Sequence, residues 1–363
     1  MKYNENILIT GVTGNLGSQI LKLILLGNNK ANISLLIRAE NKNQAKNRIV
    51  DLFKWLFGIK YKDYLGSNIR VYQGDICKDK FGLSSRDYSF LNQKIDVVYH
   101  SAALTRFQEN IFRLRSVNVK GTQRILDFIS SSKRSPNLHY ISTAFVVGNF
   151  KGKFKESDFD VAQGFNNPYE QSKFEAELKV RKFSYKNERV RIYRPSIIVG
   201  EYGTGEVASF QMFYHPLYLF SKEIFDEIPI NRNTVLNIIP VDVAAKMILL
   251  LSNQAIDKNK FVYHIVSPKS LSLTSVIDWA AGYFNFKKPK LLSKKCESFA
   301  LGSLHKKSLR PILNYLQFKA QIESHETMLQ LRSLRFKFPS INESFLKRIF
   351  SYAAKMKYIK VNK

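Results

Sequence analysis

The segment that most constrains the fold is a short apolar run near the N-terminus, followed by three spaced glycines and a helical pattern. Ile7-Leu8-Ile9-Thr10 has the composition of a buried parallel strand, and the helical pattern continues to Leu26. Between them the glycines follow a G-x-x-G-x-x-G spacing. Gly11 permits the tight turn, Gly14 lets the backbone approach a pyrophosphate, and Gly17 allows the helix to pack closely on the strand. This segment therefore predicts a dinucleotide site at a helix N-terminus.

Later segments repeat the alternation of apolar strands and helical stretches. Strands are expected at 33–37, 69–72, 95–100 and 139–142, and a further strand with a turn at 191–200. This alternation predicts an α/β fold with a Rossmann-type, doubly wound parallel sheet covered on both faces. We expect residues 1–205 to form the NAD(P)-binding domain with the catalytic residues. Residues 206–363 are expected to form a smaller, mainly substrate-binding and helical C-terminal part, with the chain interleaving between the two.

The residue at the end of the second predicted strand bears on the choice of cofactor. A carboxylate at this place binds the ribose 2′-hydroxyl in NAD-dependent proteins of this fold, but this chain has Arg38. A guanidinium suits a 2′-phosphate, so we expect NADP(H) to be preferred over NAD(H), with Arg48 on the next helix as a second contact. The alternative is that Arg38 is only a surface charge at a strand end.

Polar and small residues follow other predicted strands and would lie at the same edge of the sheet. Asp75 is a candidate to hydrogen-bond adenine, while Ala102 and Ala103 would let the dinucleotide approach. Asn118, in the next helix, either organises a water near a lysine or is ordinary polar surface. His100 is interpreted as a packed strand-end histidine rather than as a catalytic base.

A candidate proton-transfer pair stands downstream of these strands. Tyr169 and Lys173 are four residues apart, so one helical turn places both side chains on the same face. We expect Lys173 to lower the pKa of Tyr169 toward the working range, which makes Tyr169 a candidate acid or base. The spacing by itself also occurs in helices that carry a solvated pair. Ser142 and Thr143 end a predicted strand, and either hydroxyl can donate to a substrate carbonyl oxygen as charge develops.

The charge of the chain narrows the classes of partner. Its net charge is +28, and within 285–363 Lys plus Arg exceed the acidic residues by 14. We expect an anionic partner, such as a phosphate-bearing cofactor, an acidic carrier protein, nucleic acid or an anionic membrane surface. The alternative is a solvated basic face that reflects compositional bias. Because no nucleic-acid-binding motif is recognisable, no specific nucleic acid is expected.

Cysteine usage and hydropathy indicate the compartment. Cys77 and Cys296 are the only cysteines, too few for a disulfide framework or a thiolate metal site, which fits a reducing cytoplasm. The first residues lack the pattern of a signal peptide, and no apolar stretch has the length of a membrane span. We expect a cytoplasmic protein, with peripheral contact to an anionic membrane as an option. The oligomeric state is left open.

These motifs together resemble the extended short-chain dehydrogenases/reductases. Three passages resemble the branch that contains thioester reductase domains and fatty acyl-CoA reductases, also called male-sterility-type NAD(P)-binding proteins. They are Leu36-Ile37-Arg38-Ala39 with Ala45 and Arg48 behind it, Asn167-Pro168-Tyr169-Glu170-Gln171-Ser172-Lys173-Phe174-Glu175-Ala176-Glu177, and Arg194-Pro195-Ser196-Ile197-Ile198-Val199-Gly200 followed by Gly203-Thr204-Gly205. The resemblance begins at about residue 6 and is strongest before residue 205.

The resemblance implies a set of site residues. Thr143, rather than Ser142, would be the active-site hydroxyl and would form a catalytic triad with Tyr169 and Lys173. No metal is implied. Together with the glycine segment, the implied cofactor-binding residues are Gly11, Thr13, Gly14, Asn15, Leu16, Gly17, Arg38, Arg48, Asp75, Ile76, Ala102, Ala103, Asn118, Lys173, Pro195 and Ile198.

The resemblance also implies an activity. It is the NADPH-dependent reduction of an acyl thioester, carried by CoA or an acyl carrier protein, to an aldehyde and in some cases on to the alcohol, with Tyr169 as proton donor. The aromatic segment 209–225 would line the substrate pocket or form ordinary core. Two alternatives stay open: an NAD(P)-dependent epimerase, dehydratase or hydroxysteroid-like dehydrogenase on the same scaffold, and a non-catalytic NADP-binding scaffold.

Overall fold

The computed structural model describes residues 5–27, 30–66, 68–255, 257, 260–292 and 313–362. Its strands are β1 Asn6–Thr10, β2 Asn32–Ile37, β3 Ile69–Gln73, β4 Val97–His100, β5 Asn137–Ile141, β6 Gly152–Phe154, β7 Val190–Pro195, β8 Ile197–Val199, β9 Glu227–Pro229, β10 Val235–Leu236, β11 Ile238–Pro240, β12 Val262–Ile265, β13 Leu271–Ser272, β14 Lys290–Leu292 and β15 Ala320–Ile322. Its helices are α1 Asn15–Gly27, α2 Lys42–Phe57, α3 Tyr61–Tyr64, α4 Ser85–Lys94, α5 Ile111–Leu114, α6 Gly121–Ser131, α7 Pro168–Ser184, α8 Tyr214–Phe220, α9 Val241–Ser252, α10 Leu273–Phe284, α11 His325–Ser333 and α12 Glu343–Lys355. A π-helical stretch, Arg115–Lys120, joins α5 to α6.

A seven-stranded sheet organises the fold, with strand order β12-β7-β5-β4-β1-β2-β3. The neighbouring pairs from β3 to β7 are parallel. The order of the strands reverses between β1 and β4, and the crevice at such a reversal is where doubly wound sheets bind dinucleotides. The predicted α/β fold with a Rossmann-type parallel sheet is confirmed.

The apolar runs of the sequence explain why these strands lie inside. Every residue of β4 and β7 is buried, as expected for strands that have helices on both faces. On one face the side chains of four strands pack against α6 and α7, and a single apolar cluster fills the space between them. Members of this cluster are Leu8, Val98, Leu138, Ile192, Ile125, Phe128, Ala176 and Val180.

The chain divides into two compact units, each built from separate segments. The first unit comprises Met1–Val146, Pro168–Arg194 and Ala245–Tyr263. The second comprises Val147–Asn167, Pro195–Ala244 and His264–Lys363. Residues 195–205, which the sequence-based division assigns to the cofactor domain, lie in the second unit, and residues 245–263 lie in the first.

In the described part of the second unit, the strands form four small two-stranded sheets: β10 with β13, β11 with β8, β14 with β9, and β15 with β6. Aromatic residues of the segment 209–225 contribute to its core, since Phe213 and Phe220 are buried. Tyr214 is buried as well, and its hydroxyl accepts a hydrogen bond from the Gly200 amide at 3.0 Å. For these three side chains the structure supports the core alternative rather than an exposed pocket lining.

The Gly-Thr-Gly segment also serves packing within the second unit. Gly205 has a φ of +76°, and a Cβ there would lie 2.4 Å from the carbonyl oxygen of Arg348 in α12. Only glycine therefore allows this turn to approach the α12 backbone so closely. The segment acts here as a close-packing turn.

Further expectations from the sequence concern the cysteines, the basic C-terminal segment and the absence of a membrane span. Cys77 is half-buried, and burial raises the pKa of its thiol to about 11; Cys296 lies outside the described residues, as does the stretch 293–312 of the basic C-terminal segment. Across the described ranges, no helix is long and apolar enough to cross a bilayer.

Candidate active site

The glycine turn between β1 and α1 is built by close backbone contacts. Gly11 has a φ of +73°, and a Cβ there would lie 2.5 Å from the backbone nitrogen of Ala102. A Cβ on Gly17 would lie 2.3 Å from the carbonyl oxygen of Gly11, so α1 can pack on the turn only with glycine there. The Gly14 amide donates to the Gly11 carbonyl at 3.0 Å, and Gly14 itself is exposed. Asn15 and Leu16, both buried, begin α1 directly behind this open turn.

Positive charge gathers beside the turn. One terminal nitrogen of Arg48 donates to the Thr13 hydroxyl at 2.9 Å, and the other donates to the Arg38 carbonyl oxygen. Both guanidinium groups are exposed, and the first turn of α1 has no acidic residue. A helix N-terminus flanked by two arginines suits the phosphates of a dinucleotide, so the residues present fit the cofactor that the fold implies.

The other residues that are expected to contact the cofactor are held in place by hydrogen bonds and packing within the protein. The carboxylate of Asp75 accepts from the Cys77 amide at 2.8 Å, which holds the turn after β3. Ile76 points into the apolar core, and Ala102 donates its amide to the Thr10 hydroxyl at 3.3 Å. Ala102 and Ala103 are half-buried at the end of β4. Contact of these residues with a cofactor stays a prediction, and so does the contact of Pro195 and Ile198, which lie in the second unit.

The two candidate hydroxyls after β5 have different partners. Ser142 donates its hydroxyl to a carboxylate oxygen of Glu177 at 2.6 Å, deep in the unit. Thr143 instead lies beside the phenol of Tyr169, and its own oxygen accepts from the Phe145 amide at 3.2 Å. The structure therefore brings Thr143 to Tyr169 and turns Ser142 away, an arrangement that supports the implied role of Thr143.

The acidity of Tyr169 differs from the sequence-based expectation. The pKa of Tyr169 is raised to about 12, first by burial, with Glu170 adding to the shift and the nearby Thr143 hydroxyl opposing it. The expectation that Lys173 lowers this pKa is therefore wrong for the structure described. The physical reason is that desolvation disfavours the phenolate, while the ammonium of Lys173 is directed to other oxygens.

Lys173 lies one turn after Tyr169 in α7 and is buried. Its Nζ donates to the Tyr140 hydroxyl at 2.9 Å and to the Ile141 carbonyl oxygen at 2.8 Å. Burial lowers the pKa of Lys173 to about 7, and the negative charge of Glu177 opposes that shift. The amine is consequently poised to change its charge near neutral pH.

A buried ion-pair network lies behind these residues and was not foreseen as part of the site. Both Glu177 and Arg194 are fully buried, and their shortest contact is 2.7 Å. Arg181 also contacts Glu177, at 2.8 Å. Although burial opposes ionisation, these arginines and the Ser142 hydroxyl lower the pKa of Glu177 to about 2. A signal was present in the sequence: an arginine inside the apolar strand β7 requires a buried counter-charge.

Asn118 and His100 have structural partners. Asn118 lies in the π-helical stretch, and its side-chain amide exchanges two hydrogen bonds with the backbone of Leu104 and donates to the Ser172 hydroxyl at 2.9 Å. It thus ties the loop after β4 to α7, and its contact with a cofactor stays a prediction. His100 is buried between the hydroxyls of Thr10 and Thr122, and burial lowers its pKa to about 3. Its interpretation as a packed histidine is confirmed.

The sheet order and the glycine turn define the class of Rossmann-type dinucleotide-binding domains, to which the extended short-chain dehydrogenases/reductases belong. An NAD-binding family model described as "Male sterility protein" matches residues 9–248. The chain belongs to this family, and the resemblance noted from its motifs is confirmed.

Three of the similar proteins are named as reductases or contain a reductase domain. L-2-aminoadipate reductase of Saccharomyces cerevisiae is 30% identical over 272 residues, which cover 69% of this chain and 19% of the yeast protein. The terminal R domain of the myxalamid PKS-NRPS pathway superposes with a TM-score of 0.82 at 24% identity, covering 100% of this chain and 94% of that domain. A thiolation-reductase di-domain from an archaeal non-ribosomal peptide synthetase superposes with a TM-score of 0.80 at 22% identity. The superposition covers 98% of this chain and 76% of that one. The chain thus spans about a fifth of the yeast relative, and both structures share its fold.

Proposed function

We propose that this protein reduces an acyl thioester to an aldehyde, with NADPH as its preferred cofactor. The observation that carries this proposal is the meeting of Thr143 and Tyr169 beside buried Lys173, in the unit that contains the glycine turn. The named reductase domains among the relatives support a thioester as the substrate class.

Two hydroxyl groups would act on the substrate carbonyl. When bound, a reduced nicotinamide would supply hydride to the carbonyl carbon. Thr143 and Tyr169 donate hydrogen bonds to the carbonyl oxygen as negative charge develops on it, and Tyr169 then transfers its proton to that oxygen. The hemithioacetal breaks its carbon–sulfur bond to give an aldehyde and a free thiol. The raised pKa of Tyr169 suits this direction, because the phenol carries its proton at neutral pH.

Lys173 would support the proton donor rather than touch the thioester. Its ammonium is fixed by Tyr140 and the Ile141 carbonyl, one helical turn from Tyr169. From there it can bind the nicotinamide ribose and return a proton to the phenolate after each turnover.

We further propose that the 2′-phosphate of NADPH binds at Arg38 and Arg48. The bond from Arg48 to the Arg38 carbonyl oxygen places the two residues side by side, and the bond to Thr13 ties them to the glycine turn. Paired guanidinium groups bind phosphate by charge-assisted hydrogen bonds, which an NADH ribose cannot exploit fully.

The acyl donor is proposed to be a carrier protein, with CoA as the alternative. One structural relative is a thiolation-reductase di-domain, in which a carrier is joined to the reductase. The net charge of +28 would favour the approach of either anionic donor.

The test is an assay of NADPH oxidation by the purified protein with a panel of acyl-carrier and acyl-CoA thioesters. Aldehyde and free thiol are quantified in parallel. The proposal expects one thiol and one aldehyde for each NADPH oxidised in the first reduction. If NADPH binds but no thioester is consumed, the proposal fails, and alcohols, sterols and nucleotide sugars become the substrates to examine.

A further inference from the structure

Three side chains stand in register across the first unit's sheet, beneath the proposed site. Thr10 of β1 pairs with His100 of β4, and His100 pairs with Tyr140 of β5. Register partners project to the same face of a sheet, and here that face carries Thr122 of α6 and Lys173 of α7. All five residues are buried. The row thus leads from the strand before the glycine turn to the lysine of the proposed site.

The hydrogen bonds among these side chains determine which atom donates and which accepts in each pair. Thr122 donates its hydroxyl to the Asn118 carbonyl at 2.6 Å, so it can only accept from His100 Nε2 at 3.1 Å. His100 is neutral, because burial lowers its pKa to about 3, and its proton therefore lies on Nε2. Its Nδ1 then accepts from the Thr10 hydroxyl at 2.7 Å.

The same reasoning fixes the Tyr140 hydroxyl. The Tyr140 hydroxyl also faces Thr122, whose proton is already given to Asn118, so Tyr140 can only donate toward the Thr122 oxygen. Its oxygen is left as an acceptor facing Lys173, whose Nζ lies 2.9 Å away and 4.5 Å from the centre of the phenol ring. A pre-oriented acceptor and the ring face both favour the charged form of the amine.

We propose that Tyr140 is a positioning residue for Lys173, which it holds as an ammonium by means of a hydroxyl oriented by Thr122 and His100. The inference rests on the proposed function, since it gives Lys173 a catalytic partner role. Tyr140 itself lies one strand residue before Ile141 and acts only through the lysine.

Other charged and titratable groups around Lys173 set the background for this effect. Glu177, one turn later in α7, favours the ammonium, but Arg194 and Arg181 bind its carboxylate. The neighbouring ionisable ring of α7 is Tyr169, which stays protonated well above neutral pH. On β4, His100 is neutral. Among the residues that the structure describes, the Tyr140 hydroxyl is therefore the side-chain acceptor that contacts the Nζ directly.

The test compares Tyr140→Phe with Tyr193→Phe. Phenylalanine removes one hydroxyl and keeps the ring, and Tyr193 is an equally buried tyrosine whose hydroxyl pairs with His139 at 3.0 Å on the next strand. Two pH profiles are recorded for each protein: the dissociation constant of NADPH, and kcat/KM with the best thioester. The first profile needs no substrate, so it tests the role of Tyr140 even if thioester reduction fails.

For the wild type, NADPH affinity and kcat/KM should both fall as the pH rises through the pKa of Lys173, which lies at about 7. Loss of a hydrogen bond to a charged group should move this midpoint down by about one pH unit in Tyr140→Phe. Tyr193→Phe should keep the wild-type midpoint. Thr122→Val, which releases the Tyr140 hydroxyl without touching Lys173, should shift the midpoint in the same direction by less.

The outcomes distinguish failure of the positioning role of Tyr140 from failure of the proposed thioester reduction. If Tyr140→Phe and Thr122→Val both follow the wild-type NADPH profile, the positioning role is overturned. An equal shift in Tyr193→Phe would also overturn it, since the effect would then belong to any lost buried hydroxyl. A shift in the NADPH profile of Tyr140→Phe alone supports the role, even where no thioester is reduced and the proposed function has failed.

Discussion

Tyr169 shows how burial can suit one direction of a reaction. Its phenol is held protonated by desolvation, and the Thr143 hydroxyl beside it can share the charge of an oxyanion. A phenol with a pKa of about 12 is a better proton reservoir than a general base at neutral pH. The residue therefore fits reduction of a carbonyl more readily than oxidation of an alcohol.

Substituting Tyr169 by Phe should abolish the proton transfer and leave the cofactor site intact. General acid catalysis contributes about 10²–10⁴-fold, so kcat should fall by that factor. The dissociation constant of NADPH, measured by fluorescence titration, should stay within about twofold. Tyr185→Phe is the control, because Tyr185 is 86% exposed just after α7. Retained turnover in Tyr169→Phe, or loss of NADPH binding, would remove the assigned role.

Arg38 should discriminate between the two nicotinamide cofactors. Removing one charge-assisted contact to a 2′-phosphate costs about 1.5–3 kcal/mol, so Arg38→Ala should weaken NADPH binding by about 10–100-fold. Binding of NADH should hardly change, because NADH lacks that phosphate. Isothermal titration with both cofactors checks this. Equal weakening of both would show that Arg38 acts on the shared part of the dinucleotide or on the fold.

The buried carboxylate of Glu177 should make the free energy of unfolding depend on pH in the acidic range. Its folded pKa of about 2 lies below its ordinary value of 4.5, so its stabilising contribution is present above about 4.5 and is lost as the pH falls toward 2. Glu177→Gln, which removes the buried counter-charge of Arg194, should lower the free energy of unfolding by about 3–5 kcal/mol at neutral pH.

A matched control for Glu177 lies on the same helix. Glu175 pairs with Arg115 at 2.6 Å, but both side chains are partly exposed, so Glu175→Gln should cost at most about 1 kcal/mol. Urea unfolding at several pH values measures both variants. If the two cost the same, the buried network contributes no more to stability than a surface pair.

At the scale of elements, the β1–α1 turn depends on the absence of a side chain at Gly11 and at Gly17. Gly11→Ala would add strain at positive φ and a contact of 2.5 Å with the Ala102 backbone. We expect a loss of about 2–4 kcal/mol in unfolding free energy and weaker NADPH binding. Gly27→Ala, at the end of the same helix with nothing within 4 Å, should be neutral or slightly stabilising. Thermal unfolding with and without NADPH would show equal effects if the turn were not tight.

The elements themselves were predictable where the sequence pattern is local. Continuous apolar runs predicted β1 to β5, and β1 begins one residue earlier than the run from Ile7 indicates. The glycine spacing predicted the turn that joins β1 to α1. These features depend on neighbouring residues along the chain, which one sequence displays directly.

The site was predictable only in part, because its electrostatics depend on partners distant in sequence. The YxxxK spacing placed Tyr169 and Lys173 on one helix face, but it could not show that Lys173 points to Tyr140. Nor could it show that Glu177 is neutralised by Arg194 from another strand. The sign of the Tyr169 pKa shift was missed for this reason: burial, which one sequence does not reveal, outweighs the charge of a nearby residue.

At the scale of the whole molecule, the net charge of +28 should affect the approach of an anionic donor. If the donor is an acidic carrier protein, raising the ionic strength should increase its KM several-fold, because salt screens charges more than about 10 Å apart. A neutral pantetheine thioester of the same acyl group should show no such change. Equal salt effects on both substrates would argue against electrostatic steering.

The most direct test of thioester reduction is a single turnover with NADPH deuterated at the transferable position and a stoichiometric acyl-carrier or acyl-CoA thioester. Mass spectrometry follows the label, and the released thiol is titrated. The proposed reaction predicts one deuterium on the aldehyde carbon and one equivalent of thiol. Oxidation of NADPH with the label on any other carbon, or without thiol release, would contradict it.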